Sequence, residues 1–223
     1  MNRRAFIIFL LPLLVICSCK ESKTEKAGLP SQEEENYQEI STELELIYDK
    51  DQGYRVRLSE MIKNKEPFDV AYVQEMNTSD SINKVRMIEI LNQYGWISKD
   101  YISDKAFRAI FLVIQHADVS IMEDFYPSFR KLADADSLIR DYAGMMEDRI
   151  LMYNSKKQIY GTQSSSRQDA SGQIEYFIWP IENPAAVNQR RKDVGFETTI
   201  QEYSRSMDAI YNPEEILVEF GSR

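Results

Sequence analysis

His116 is the only histidine in the chain. It stands in Gln115-His116-Ala117-Asp118, directly after the apolar run Ile110 to Ile114. An imidazole exchanges protons near neutral pH, so a histidine with a carboxylate two residues away reads as an acid–base pair, His116 moving the proton and Asp118 orienting the ring. A helix C-terminus at this point would favour the protonated ring. The other reading is a histidine that closes its helix by bonding a backbone carbonyl. Arg149 is the second unusual residue. Leu138, Tyr142, Met145, Arg149 and Met152 fall on one helical face, so a guanidinium interrupts an apolar stripe. Its neighbours one turn away are Met145, Met146, Met152 and Tyr153, and none can neutralise it. Its partner must be a distant carboxylate, as a structural ion pair, or a bound anion.

Four more residues join these as candidate ligand contacts. Gln115 precedes the histidine. Gln163 ends Tyr160-Gly161-Thr162-Gln163, where a permissive glycine sits at a strand end. Glu182 lies between Pro180 and Pro184, in a turn stiff enough to present a side chain. Arg191 follows Arg190 on a short helix, and adjacent helical residues point about 100° apart, so only one of them can face a small ligand. Turn chemistry alone would also account for the proline-flanked segment. No nucleophile motif, glycine-rich phosphate loop or metal signature is present. One histidine cannot build a histidine-rich zinc site, and no carboxylate spacing is diagnostic of magnesium or calcium. The expectation is therefore no metal and no cofactor.

These side chains need helices to hold them. Tyr37 to Asp49 reads as a helix with Ile40, Leu44 and Ile47 on one face, interrupted or ended by Asp51-Gln52-Gly53 and followed by a short helix through Leu58, Met61 and Ile62. Pro67 to Asp80 reads as loop. Ile82, Val85, Ile88 and Leu91 form the next apolar stripe, closed by Gly95. Ser103 or Asp104 caps a helix so apolar on all sides that it must be buried. Ser120 and Glu123 have the spacing of a capping box, and Pro127 is expected to kink or restart that helix. Ser137 opens another, running to about Tyr153. Gln158–Gln163 and Gln173–Trp179 read as the strands of a hairpin with Ser164–Gly172 as its tip. Pro184 starts a short helix ending near Gly195, and Ile200, Tyr203, Met207 and Ile210 mark the last one. The fold class is mainly α (α+β): a single helical domain with a small antiparallel β-hairpin, over residues 37–223.

The N-terminus supplies an address. Arg3 and Arg4 precede the apolar stretch Ala5 to Ile16, and Ile16-Cys17-Ser18-Cys19 follows. That order fits a bacterial lipoprotein signal peptide over residues 1–18. A transmembrane helix needs about twenty apolar residues, and this run is shorter and broken by Pro12. Cys19 is the better lipidation site, because small Ser18 precedes it whereas Ile16 precedes Cys17. Acylation there, with palmitate among the chains, would anchor the protein to a membrane. Residues 19–36, rich in Glu, Lys, Ser and Gln, read as a flexible tether. The implied location is the cell envelope, at the outer membrane or the periplasmic face. The chain carries a formal net charge of −9, and losing Arg3 and Arg4 with the leader makes it more negative. Such a surface repels phosphate backbones, so nucleic acid is excluded as a partner.

Taken together, Asp51-Gln52 with Arg55, Gly95-Trp96, Gln115 to Asp118, Asp148-Arg149, Tyr160 to Gln163, Pro180 to Pro184, Arg190-Arg191 and Val194-Gly195 resemble the signature of an uncharacterised bacterial domain family, a domain of unknown function. The resemblance spans residues 37 to 211. Ile97 stands where family members often carry proline, and the hairpin tip at Ser164–Gly172 is longer than usual for them; neither removes a chemically active residue. The resemblance implies a fold and a candidate site but no reaction. Two functions follow. The chain is a lipid-anchored envelope protein with a polar small-ligand site, in which catalysis is open; or it is a non-catalytic scaffold or interaction lipoprotein whose polar motifs are structural.

Overall fold

The computed structural model describes residues 32–64, 66–67, 69–168 and 171–221. The apolar leader, Cys19 and the tether up to residue 31 lie outside the described residues. Among the described residues, no helix is long and apolar enough to cross a membrane. The order is α1 (Gln32–Lys63), α2 (Val70–Tyr94), α3 (Asp104–Gln115), α4 (Val119–Ala135), a 3-10 turn at Ser137–Ile139, α5 (Arg140–Tyr153), β1 (Ser164–Gln168), β2 (Ile174–Ile178), a 3-10 turn at Pro184–Ala186, α6 (Val187–Asp193) and α7 (Ile200–Ser206). It is a mainly helical domain with one small antiparallel sheet, as the periodicities predict.

Helix α3 is the hub. Its side chains from Ala106 to Ile114 form the centre of the main core, with Ile40 and Leu44 of α1, Met87, Ile90 and Leu91 of α2, Met122 and Phe129 of α4, and Met146 of α5. Ser103 caps its start through a bond from the Ala106 amide. The helix is not apolar all round as its run Ile110 to Ile114 suggests: Asp104 and Arg108 are exposed and Lys105 pairs with Asp49 at the surface, so α3 buries a broad apolar face and keeps a polar outer side.

Several elements differ from the sequence expectation, the last helix among them: α7 ends at Ser206, leaving Met207 as its cap and Ile210 beyond it, bridged to Phe177. Helix α1 starts at Gln32, inside the stretch read as tether, and continues through Asp51-Gln52-Gly53 to Lys63. A helical glycine costs about 1 kcal/mol. Burial of Ile40, Leu44 and Met61 and the Asp51–Arg55 pair one turn apart offset it. Helix α2 begins at Val70, capped by Asp69, where a loop is predicted. It also turns a different face inward: Ile82 and Val85 are exposed, and the buried positions are Met76, Ser79, Asn83, Met87, Ile90 and Leu91. Its first half covers the charged group around Asp51, so polar side chains line that part of the interface. Helix α4 begins at Val119, which puts Ser120 and Glu123 inside the helix rather than at a capping box, and it runs through Pro127 as one helix.

The hairpin is shifted along the chain. Ser164 pairs with Ile178 and Gln168 with Ile174, so the predicted tip supplies the first strand. Residues 158–163 cannot serve as that strand, because the amides of Ile159, Tyr160 and Thr162 are bonded to Asp148. The ladder starts where the backbone becomes free.

Candidate functional site

Asp148 organises the region. It is fully buried on α5 and accepts from the amides of Ile159 (2.6 Å), Tyr160 (3.0 Å) and Thr162 (2.9 Å) and from the Thr162 hydroxyl (3.0 Å). Burial pushes its carboxyl up to about 6, while these donors pull the other way. The cage fixes the loop 159–162. Gly161 makes it possible: its φ is +74°, and a Cβ there would meet Ile200 Cδ1 at 2.5 Å. Gln158 secures the loop from below, its side chain donating to the carbonyls of Gln163 and Trp179 and accepting from the Gln163 amide.

Gln163 is delivered to Arg149 by that loop. Its Oε1 accepts from Arg149 Nε at 2.9 Å, and Arg149 Nη1 donates to the Gln115 carbonyl at 3.0 Å. Both partners are neutral, and no carboxylate pairs with Arg149 among the described residues. Burial, helped by the charge on Arg55, lowers its pKa, yet a guanidinium remains charged at any physiological pH. Arg149 lines a cleft of about 460 Å³ together with Gln115, His116, Thr162, Gln163, Ser164 to Ser166 and the apolar or aromatic side chains of Phe111, Met145, Met152, Tyr176 and Tyr203. Gln115 is buried, its Nε2 bonded to the Met145 carbonyl, and its Oε1 has no hydrogen-bond partner.

His116 caps the C-terminus of α3 and lines this cleft beside Arg149. Loss of water around the ring, then the charges of Arg55 and Arg149, push its pKa down to about 4, against a smaller pull from Asp51. Part of the residue is open to solvent, but the two guanidinium groups act in the same direction as desolvation, so the ring is neutral at neutral pH. The helix end does not make it cationic. A neutral imidazole keeps one donor and one acceptor, and the ring bonds no described residue.

The family model of DUF6624, described as a family of unknown function, matches residues 38–214. The chain belongs to this family. No curated protein and no solved structure matches it.

Within the DUF6624 domain, Gln115, His116, Arg149 and Gln163 come together and three other expected site residues do not. Asp118 is exposed and accepts from Lys84 Nζ at 2.9 Å. That contact holds its carboxyl below the usual range, and it does not orient His116. Glu182 points into solvent; the turn uses its main chain, whose carbonyl accepts from Arg190 Nη2 at 2.6 Å. Arg191 is buried and turned away from the cleft. Its Nη1 donates to the Tyr160 carbonyl (2.9 Å) and its Nε to the Thr198 carbonyl (2.8 Å), with Phe196 and Tyr203 against its face. A planar fork that matches two carbonyls is a structural clasp.

The DUF6624 domain also has a second cleft, of about 280 Å³, on the other side of His116. It is lined by Asp51, Arg55, Asn77, Asp80, Ser81, Asn83, Lys84 and Ala117. Sequence reasoning singled out Asp51 and Arg55 without a role and missed the remainder, because these residues come from three helices. The available signal was the carboxylate of Asp51 on the same helical face as Leu44. Among the described residues no group of three or more histidine, cysteine, aspartate or glutamate side chains is arranged to hold a metal ion.

Proposed function

We propose that the chain is a lipid-anchored protein of the bacterial cell envelope whose domain binds a small organic anion in the Arg149 cleft. One observation carries the binding reading. Arg149 stands in the cleft wall with only neutral partners, its guanidinium held in place by the side chain of Gln163 and the carbonyl of Gln115. A charge lodged in such a wall is expensive unless something opposes it, and the neutral His116 beside it leaves that to a ligand. The anion is a carboxylate or phosphate ester, because a guanidinium recognises either as a planar fork. Its remainder is apolar or aromatic, to fit Phe111, Met145 and Tyr176. The uncharged ring of His116 offers an acceptor for a proton of the bound molecule. The order of residues 3–19 supports the anchor, at Cys19.

Binding of phenyl phosphate and benzoate, with benzyl alcohol as the uncharged control, tests the site by calorimetry. The expected result is binding of the anions alone and a loss of about tenfold or more in Arg149→Gln. Equal binding of benzyl alcohol, no binding of either anion, or an unaffected Arg149→Gln would refute it. Labelled palmitate should enter the wild type and Cys17→Ser but not Cys19→Ser; label in Cys19→Ser refutes the anchor. The scaffold reading rests on Asp148, Gln158 and Arg191, all buried and bonded internally, and it expects no response to any anion.

A further inference from the structure

The cleft on the far side of His116 has the opposite charge balance. Arg55 Nη2 lies 2.9 Å from Asp51 and 3.3 Å from Asp80, so one guanidinium serves two carboxylates and leaves an excess negative charge. Lys84 does not correct it, because Asp118 already neutralises that ammonium. The two carboxylates are not equivalent. Asp51 is buried and saturated by Gln52 Nε2 at 2.7 Å, Arg55 Nε at 3.1 Å and Arg55 Nη2. Asp80 is half-buried, and its bonds to Arg55 are long, at 3.3 and 3.4 Å. Burial, and to a smaller extent the charge of Asp51, raise its pKa against the opposing pull of Arg55, so that one shared guanidinium does not offset its desolvation. An independent observation lies beside it. Asn83 is 6% exposed, lines the same cleft, and its Nδ2 has no hydrogen-bond partner. A buried amide donor without an acceptor is a costly arrangement unless a ligand completes it.

We propose that this cleft is a second ligand site, separate from the Arg149 cleft, for a small hydroxylated amine of the amino-sugar class, with its ammonium on Asp80 and a hydroxyl oxygen accepting from Asn83 Nδ2, whose amide turns out of its buried position to reach it. The volume of about 280 Å³ admits one monosaccharide-sized molecule. The polar walls suit a ligand rich in hydroxyl groups, and Asn77 and Ser81 at the rim add further hydrogen-bonding partners. An anion is disfavoured, because Arg55 is already opposed by two carboxylates.

Calorimetry with the purified protein and glucosamine, at about pH 6.5 where a sugar amine is protonated, tests the site. Glucose is the uncharged counterpart. Glucosamine should bind and glucose should bind at least about tenfold more weakly. Asp80→Asn, which keeps the shape of a half-exposed side chain, should lower glucosamine affinity by about tenfold or more. Asn83→Ala should lower it too while leaving thermal stability equal or higher, since it removes an unpartnered group. Arg149→Gln should leave glucosamine binding intact, which separates this site from the anion cleft. No binding of glucosamine, equal binding of glucose, or wild-type affinity in both Asp80→Asn and Asn83→Ala would overturn the assignment.

Discussion

Replacing Asp148 by asparagine tests the physical core of the site. The carboxylate receives three main-chain amides and one hydroxyl, at 2.6–3.0 Å. Asparagine keeps a single acceptor oxygen and turns an NH2 group toward donors. At least one buried amide then loses its partner, so Asp148→Asn should destabilise by about 2–4 kcal/mol at neutral pH. The pH dependence is more discriminating. Burial raises the folded pKa of Asp148 from its ordinary 3.8 to about 6. Between those values the native state holds more protons than the unfolded one. The contribution of this group to stability is therefore greatest below about pH 4 and falls as pH rises through about 6, by up to roughly 3 kcal/mol. Asparagine does not titrate, so the stability gap between wild type and variant should widen on acidification. Urea unfolding of both proteins across this range reads the gap directly, and other titrating groups cancel in the difference. A gap that narrows with acid would mean that the donors hold the carboxylate ionised against desolvation, and the reasoning would fail. A variant as stable as wild type at neutral pH would mean that the cage does not hold the loop.

His116→Gln should show the opposite trend. The folded pKa is depressed from 6.5 to about 4, so the unfolded state binds more protons in that window and the wild type loses stability as pH falls through it. After discounting for its solvent exposure, the variant should gain about 1 kcal/mol on the wild type over that fall; parallel urea curves would show the ring to be unperturbed. Gly161→Ala should destabilise by about 2–4 kcal/mol, from positive φ and overpacking together. Its new Cβ would lie 2.5 Å from Ile200 Cδ1 and 2.7 Å from Ile181 Cδ1, and an unchanged melting temperature would mean that both isoleucines yield freely.

The parts of the fold legible in the sequence are those where a dense apolar run or a local cap fixes the element. Helix α3 shows itself through Ile110 to Ile114, although Asp104 and Arg108 keep one side of it in water, and Ser103 and Gly95 mark helix ends through local geometry. Helix α2 was misread because its inward face carries Ser79 and Asn83 over a charged group, while Ile82 and Val85 stay outside. Period alone cannot rank two competing stripes. The hairpin register was hidden because a residue on α5, Asp148, commits the amides that a strand would need. Arg149 was legible as a charge among apolar neighbours, and Gln163 followed from its place after Gly161. Glu182 and Arg191 were not, since a stiff turn can be used through its side chain or its main chain, and residue types do not distinguish the two. The second cleft is built from helices far apart in the chain, so no local pattern announces it.

A single imidazole walls both clefts. Turning or protonating that ring to suit an occupant on one face alters the surface offered on the other. Thermodynamic linkage makes any such cross-talk reciprocal: whatever factor one occupant imposes on its neighbour's affinity, the neighbour imposes in return. A double titration, each cleft filled with the other preloaded, would measure that one number twice.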